Sequence, residues 1–166
     1  MIRAASATDL PAIHRLVQEA ARWMVARGIE QWQPDAFLTR RVDDVFARGE
    51  TLVAYADGVL LGSVSLTWED RFGWGEDGDD GRAGYVHLLV GRGYGRRLLA
   101  GAEQLMTARG RALSRLDCVL ANPKLRSYYQ AAGYRLVRET DFGGRIDIPR
   151  CGLYEKALTA PPDPRA

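Results

Sequence analysis

A run of strand-forming residues, Tyr85-Val86-His87-Leu88-Leu89-Val90, breaks without a linker into Gly91-Arg92-Gly93-Tyr94-Gly95-Arg96-Arg97 and then into a helical pattern. Glycines let backbone N–H groups come close to an anion, and the first turn of the helix adds unsatisfied donors at the positive end of its dipole. Arg92, Arg96 and Arg97 add full charges. The segment is therefore read as a site for a phosphate-bearing ligand. Two glycine loops of known mechanics do not fit it. The dinucleotide pattern G-x-G-x-x-G starts at Gly91 and Gly93 but meets Arg96 where its third glycine belongs. The Walker pattern meets the same arginine, and no Lys-Ser or Lys-Thr follows. What remains is G-x-G-x-G entering a helix.

The rest of the chain bounds what can surround this loop. At 166 residues, with 46% hydrophobic and 27% charged, it is expected to be one soluble α/β domain over residues 1–158. Residues 159–166 hold three prolines and are expected to be a disordered tail. No apolar run approaches the ~18 residues of a membrane helix and no secretory signal is visible, so the expectation is a cytoplasmic protein without a membrane partner. Cys118 and Cys151 lie far apart in apolar segments and are read as buried free thiols rather than a disulfide or metal pair. A net charge of +2 gives no strong field for nucleic acid. The acidic run Glu76-Asp77-Gly78-Asp79-Asp80 is read as a solvated loop.

Ile2–Ala4 reads as a strand, and Ser6-Ala7-Thr8-Asp9 as a capping box for a helix whose stripe is Ile13, Leu16, Val17, Ala20 and Met24. Pro34 and Asp35 open a second helix that ends at Gly49. Thr51–Tyr55, an Asp57-Gly58 turn and Val59–Trp68 form a hairpin. Residues 70–83 read as loop, 85–90 as strand, and Leu98, Leu99, Ala102, Leu105 and Met106 as the buried face of a third helix. A strand at Leu116–Leu120, a helix at Pro123–Ala132 and strands at Tyr134–Glu139 and Cys151–Leu158 complete the order βααβββαβαββ, a mixed sheet with helices.

A second motif, Asn122-Pro123-Lys124-Leu125-Arg126-Ser127-Tyr128-Tyr129-Gln130-Ala131-Ala132-Gly133-Tyr134, has an Asn that opens a helix, a Tyr seven residues on and a closing Gly-aromatic pair. Together the glycine loop and this motif resemble the GCN5-related N-acetyltransferases, and the order of elements resembles their fold along nearly the whole chain. The resemblance implies a central, mostly antiparallel sheet that splays between its fourth and fifth strands to admit the pantetheine arm of acetyl-CoA. It implies cofactor contacts from Leu88, Leu89 and Val90, whose amides also polarise the thioester, from Gly91 to Arg97, and from Asn122, which is equally suited to be only a helix cap. It puts Tyr129 at the departing sulfur, with Tyr128 read as packing. Members usually carry several residues between the strand's last valine and the first loop glycine, whereas Val90 runs straight into Gly91. The alternatives are a shortened loop, which weakens the phosphate cradle, and a mobile segment missing from the sequence as written.

Acetyl transfer needs a neutral amine, and a lysine-like amine of pKa about 10.4 costs about 4–5 kcal/mol to deprotonate at pH 7. His87, Glu69 and Glu30 are the candidate bases, with His87 preferred for its ordinary pKa of about 6.5. The acceptor, a small-molecule or peptide amine, is expected against the first two helices and the hairpin end. Glu30, Trp32, Trp68 and Glu69 are candidate contacts there, Phe72 and Trp74 further aromatics, and Trp23 mainly packing. No metal site is expected, and a homodimer is common among such proteins. Two rival readings are a non-catalytic acyl-CoA sensor or scaffold and a nucleic-acid module using the Arg92–Arg115 cluster. Near-neutral charge and the lack of interleaved exposed aromatics count against the second.

Overall fold

Asp9 fixes the first corner of the chain. Its carboxylate accepts the Ser6 backbone N–H at 2.8 Å, two Arg3 nitrogens at 2.8 Å each and the Tyr55 hydroxyl at 2.9 Å. The Arg3 hydrogen bonds hold this buried carboxyl well below the usual carboxylate range. The corner joins strand β1 (Ile2–Ala4) and strand β2 (Glu50–Ala56) to helix α1 (Leu10–Val25), which follows a single 3₁₀ turn at Ala7–Asp9.

The computed structural model describes residues 1–144 and 149–158. The expected tail at 159–166 lies outside the described residues. Helix α2 (Ala36–Arg48) is capped by Asp35, whose side chain accepts the Leu38 N–H. Asp57 and Gly58, both at positive φ, turn β2 into β3 (Val59–Thr67). Then come β4 (Ala83–Gly91), α4 (Gly95–Ala108), β5 (Leu113–Val119), α5 (Pro123–Gln130), β6 (Arg135–Thr140) and β7 (Cys151–Ala157), with α3 (Arg71–Trp74) between β3 and β4. The seven strands form one sheet in the order β1-β2-β3-β4-β5-β7-β6, parallel only between β4 and β5. This is the mixed α/β sheet with helices that the sequence predicts.

Alternation along the strands divides the core between the two faces of the sheet. Leu52, Val64, Leu66 and Val86 pack with Leu98, Leu99 and Met106 of α4. Val53, Leu60, Leu88 and Val90 pack with Ile13, Val17, Leu38 and Val42 of α1 and α2. Cys118 and Cys151 are buried free thiols, as expected, and burial pushes both up to about 12.

The segment expected to be a loop is folded. Asp70 caps α3 by accepting the Gly73 N–H at 3.0 Å, a 3₁₀ turn follows at Gly75–Asp79, and Trp74 is buried against Tyr85. The acidic run is exposed, yet it is not a free tether: Asp79 pairs with Arg71 at 2.6 Å, Asp77 with Arg138 at 3.3 Å and Asp80 with Arg115 at 3.4 Å. The sequence reading missed this because these partners come from separate elements. Trp74, offered as an acceptor aromatic, is instead the core of this segment, with Arg115 4.6 Å over its ring. Arg115 is buried and also donates to Glu155 at 2.9 Å, the Asp77 carbonyl at 2.7 Å and the Tyr85 hydroxyl at 3.1 Å. Removing one partner of a buried charge pair costs about 3–5 kcal/mol. Arg115→Gln is therefore expected to lower unfolding free energy by about that amount in chemical denaturation, and an unchanged midpoint would show that the α3 segment is not anchored this way.

Candidate active site

The last β4–β5 pair is Val86 with Leu116; beyond it β4 continues to Gly91 and β5 to Val119 without a shared ladder. A bulge lies at the same point. Ser65 pairs with His87 and Ser63 with Val90, so one extra β4 residue is inserted, and Leu88 takes φ +50°. Such a value is costly for a branched side chain and persists only where its surroundings enforce it. Alternation from Val86 puts His87 on the α2 side of the sheet, and the bulge adds Leu88 to that side and leaves Leu89 beside the opening.

At the far end β4 runs through the Val90-Gly91 junction, with Gly91 paired to Gly62, and the Arg92 N–H donates to the Leu61 carbonyl at 2.8 Å. The loop after β4 thus closes by extending the strand and turning at once. A Cβ on Gly91 would lie 2.6 Å from the Gly95 nitrogen, and one on Gly95 would lie 2.7 Å from the Tyr128 hydroxyl. Gly91 needs glycine because the clash is with backbone, whereas a side chain at Gly95 would have to displace the Tyr128 hydroxyl. No side chain caps α4, whose first helical hydrogen bond is Leu98 N–H to Tyr94 O. Arg96 lies over the Tyr128 ring and Arg97 over the Tyr94 ring. Arg92 departs from the expectation of three free guanidiniums: it pairs with Glu19 of α1 at 2.5 Å, an exposed contact.

Four openings follow one another along the cleft. A depression of about 330 Å³ lies between the glycine loop and Tyr128 and Tyr129. Beside it, one of about 450 Å³ is lined by α1, Trp23, Trp32, Arg92 and Asn122. A throat of about 90 Å³ runs between the diverging strands past Leu88, Leu89, Tyr129, His87 and Asp117. It shares His87, Asp117 and Arg41 with a cavity of about 460 Å³ under α2 and α3.

Asn122 caps α5 by accepting the Leu125 N–H at 3.1 Å and points its amide toward Gln31 at 3.5 Å. Tyr129 is buried, edge-on to Tyr128 and Tyr134, and burial pushes its phenol far up. Tyr128, read as packing, keeps a buried hydroxyl with no hydrogen-bond partner among the described residues, beside the glycine loop. An orphaned donor, a glycine cradle and an uncapped helix start together fit a diphosphate-bearing group such as coenzyme A, held by Gly91, Gly93, Gly95 and the amides of α4.

The Thr67 hydroxyl donates to the Glu69 carbonyl at 2.9 Å, so it accepts from His87 Nε2–H at 2.9 Å and leaves Nδ1 as the ring's acceptor. Burial, reinforced by Arg41 and Arg48, pulls His87 down to about 3. The preference for His87 as base rested on an ordinary histidine pKa, and the structure removes that basis. Glu69 lines the cavity, while Glu30 is exposed and lines none of these openings. Trp32 lines the throat and the α1 depression. Trp68 is turned away, under Arg109 and Arg111 at the end of α4. Trp23 is 52% exposed and lines the α1 depression instead of packing. The sequence reading missed Arg41, Asp70 and Asp117. The available signals were the charge inside the apolar strand Leu113–Val119 and the face formed by positions 37, 41, 44, 45 and 48 of α2.

Residues 13–134 match the acetyltransferase (GNAT) family. The chain is 32% identical over 168 residues to the Bacillus subtilis protein described as uncharacterized N-acetyltransferase YesJ, covering 92% of this chain and 87% of that one. The chain belongs to the GNAT acetyltransferase family. Its fold is similar to that of ribosomal-protein-alanine N-acetyltransferase from Brucella melitensis, with TM-score 0.70, 21% identity and coverage of 95% and 99% of the two chains. It is also similar to a Salmonella typhimurium structure described as a putative acetyltransferase with its cofactor acetyl-CoA, with TM-score 0.69, 19% identity and coverage of 99% and 96%.

A histidine held at about 3 binds no proton where the unfolded chain does, between about pH 6.5 and 3. Stability is therefore expected to fall as pH drops through that window. His87→Gln should flatten the fall. Wild-type imidazole resonances of His87 should not shift between pH 8 and 5 by NMR, and a titration midpoint near 6.5 would refute the assignment.

Proposed function

We propose that the protein transfers an acetyl group from acetyl-CoA to the amine of a small molecule or peptide, with both substrates bound at once. The observation that carries this reading is the continuous path from the uncapped start of α4, past Leu88, Leu89 and Tyr129, through the throat into the cavity. Gly91 to Arg97 and Tyr128 hold the diphosphate, and Asn122 borders the arm that enters the cleft. Bound there, acetyl-CoA supplies the thioester whose acetyl carbon takes the amine nitrogen and releases the thiol.

The residues act as follows. Amides of the splayed strand at Leu88 to Val90 donate to the carbonyl oxygen where charge develops. Tyr129 donates a hydrogen bond to the departing sulfur. A free phenol near pKa 10 is already a poorer acid than a thiol near 8.5. Burial widens that gap, so Tyr129 stabilises the sulfur and keeps its proton. His87 cannot hold the ammonium proton, because the mismatch between pKa values of about 10.4 and 3 is about 10 kcal/mol. The proton leaves toward the carboxylates at the cavity mouth, Asp70, Asp117 and Glu69. Burial raises Asp70 from the ordinary aspartate value, which makes it a better acceptor than a free aspartate.

Thiol release with acetyl-CoA and an amine panel tests the reading. Tyr129→Phe is expected to lower kcat by about 10²-fold with little change in the KM for acetyl-CoA. Wild-type kcat in that variant would remove Tyr129 from the chemistry, and cofactor binding without thiol release from any amine would favour the sensor.

A further inference from the structure

We propose that the acceptor taken by the cavity under α2 is an α-amino acid with an aromatic side chain rather than a plain amine. The proposal rests on the acetyl transfer reading, since it names what that cavity offers to the throat.

Arg41 carries most of the inference. It is half-buried, it lines both the cavity and the throat, and no residue among those described forms an ion pair or hydrogen bond with its guanidinium. A guanidinium that lines a cavity with no counter-ion among the described residues is open to a carboxylate. Arg48, two turns along the same face of α2, also lines the cavity without an ion pair among the described residues. Arg71 in the same wall is different, being tied to Asp79.

The facing wall is acidic. Asp70 at the start of α3 and Asp117 on β5 both line the cavity and feel each other's charge, and Asp70 also feels Arg41 and Arg48. A plain ammonium ion could be held by Asp117, or by Asp44 and Glu69 on the same lining, but would leave the Arg41 guanidinium without a counter-charge. A zwitterion satisfies both walls. Arg41 and Asp117 both sit at the junction of throat and cavity, so the two charges of the ligand must be close together. An α-amino acid carries them on one carbon, with its nitrogen toward Asp117 and its carboxylate toward Arg41, whose fork suits a carboxylate.

The rest of the molecule then projects into a space with three aromatic rings. Phe37 is 57% exposed at its edge, and Phe72 and Phe142 stack with centroids 5.2 Å apart. About 460 Å³ lies within the range of roughly 300–1,000 Å³ usual for small-molecule sites.

Phenylalanine and phenethylamine, which differ only in the carboxylate, test this. Thiol release should give a kcat/KM for phenylalanine above that for phenethylamine by about tenfold or more. Arg41→Gln should bring the ratio close to one, Arg41→Lys should retain part of it, and Arg48→Gln should reduce it. Equal or better use of phenethylamine, or an unchanged ratio in Arg41→Gln, overturns the proposal. Calorimetry of phenylalanine with the protein alone separates it from the reading beneath it. Arg41-dependent uptake without thiol release supports the site and sinks acetyl transfer. Thiol release from other amines with no uptake of phenylalanine sinks the site and leaves acetyl transfer standing.

Discussion

The loss of pairing between β4 and β5 after Val86 and Leu116 is the constraint on which the rest of the structure depends. Two parallel strands that stay hydrogen-bonded leave no room between them, and their amides are used up in the ladder. Here the bulge at Leu88 bends β4 out of register with β3 at nearly the same level. One irregularity accompanies the opening of the throat and brings Leu88 to the same side of the sheet as His87. The sheet remains whole because β7 pairs with β5 along its full length and β3 pairs with β4 out to Gly91.

Burial then sets the proton chemistry of the throat. Burial penalises the charged forms of Tyr129 and His87 in the throat and of Asp70 in the cavity, with different consequences for each. Tyr129 becomes a weaker acid and His87 a weaker base, so both stay neutral. Asp70 rises as Tyr129 does, and because its charged form is the base, that rise makes it a better proton acceptor. The guanidiniums of Arg41 and Arg48 oppose that rise in Asp70 while adding to the fall in His87. An anion bound between the arginines and the acids would weaken both effects, which couples occupancy of the cavity to proton uptake at its mouth.

The parts legible in the sequence were those with a local cause. Ser6 with Asp9, Asp35, Asp57-Gly58 and Asn122 each act on backbone within a few residues, and they placed the first helix, the second helix, the hairpin and α5. The glycine loop was legible for the same reason, since a Cβ at Gly91 would strike backbone only four residues away. The misread parts depend on distant partners. Nothing near Glu76 to Asp80 announces Arg71, Arg115 and Arg138 as their partners, so a folded segment looked like a tether. Trp74 and Trp23 were exchanged, because whether a tryptophan is buried depends on which element covers it. Trp68 alternates away from its neighbours Thr67 and Glu69, and strand pleating sends it toward α4.

The adjacent tyrosines show how little separates a structural residue from a functional one. Tyr128 and Tyr129 are consecutive on α5, so their side chains leave the helix about 100° apart. Both rings help to close the loop depression, yet only Tyr129 also reaches the throat. The Tyr128 hydroxyl, buried without a partner among the described residues, leaves a desolvated donor uncompensated at the glycine loop. A diphosphate oxygen at the glycine loop would remove that penalty. In the proposed reading the motif would offer two donors to one ligand, at its phosphate end and at its sulfur end, from a single helix capped by Asn122.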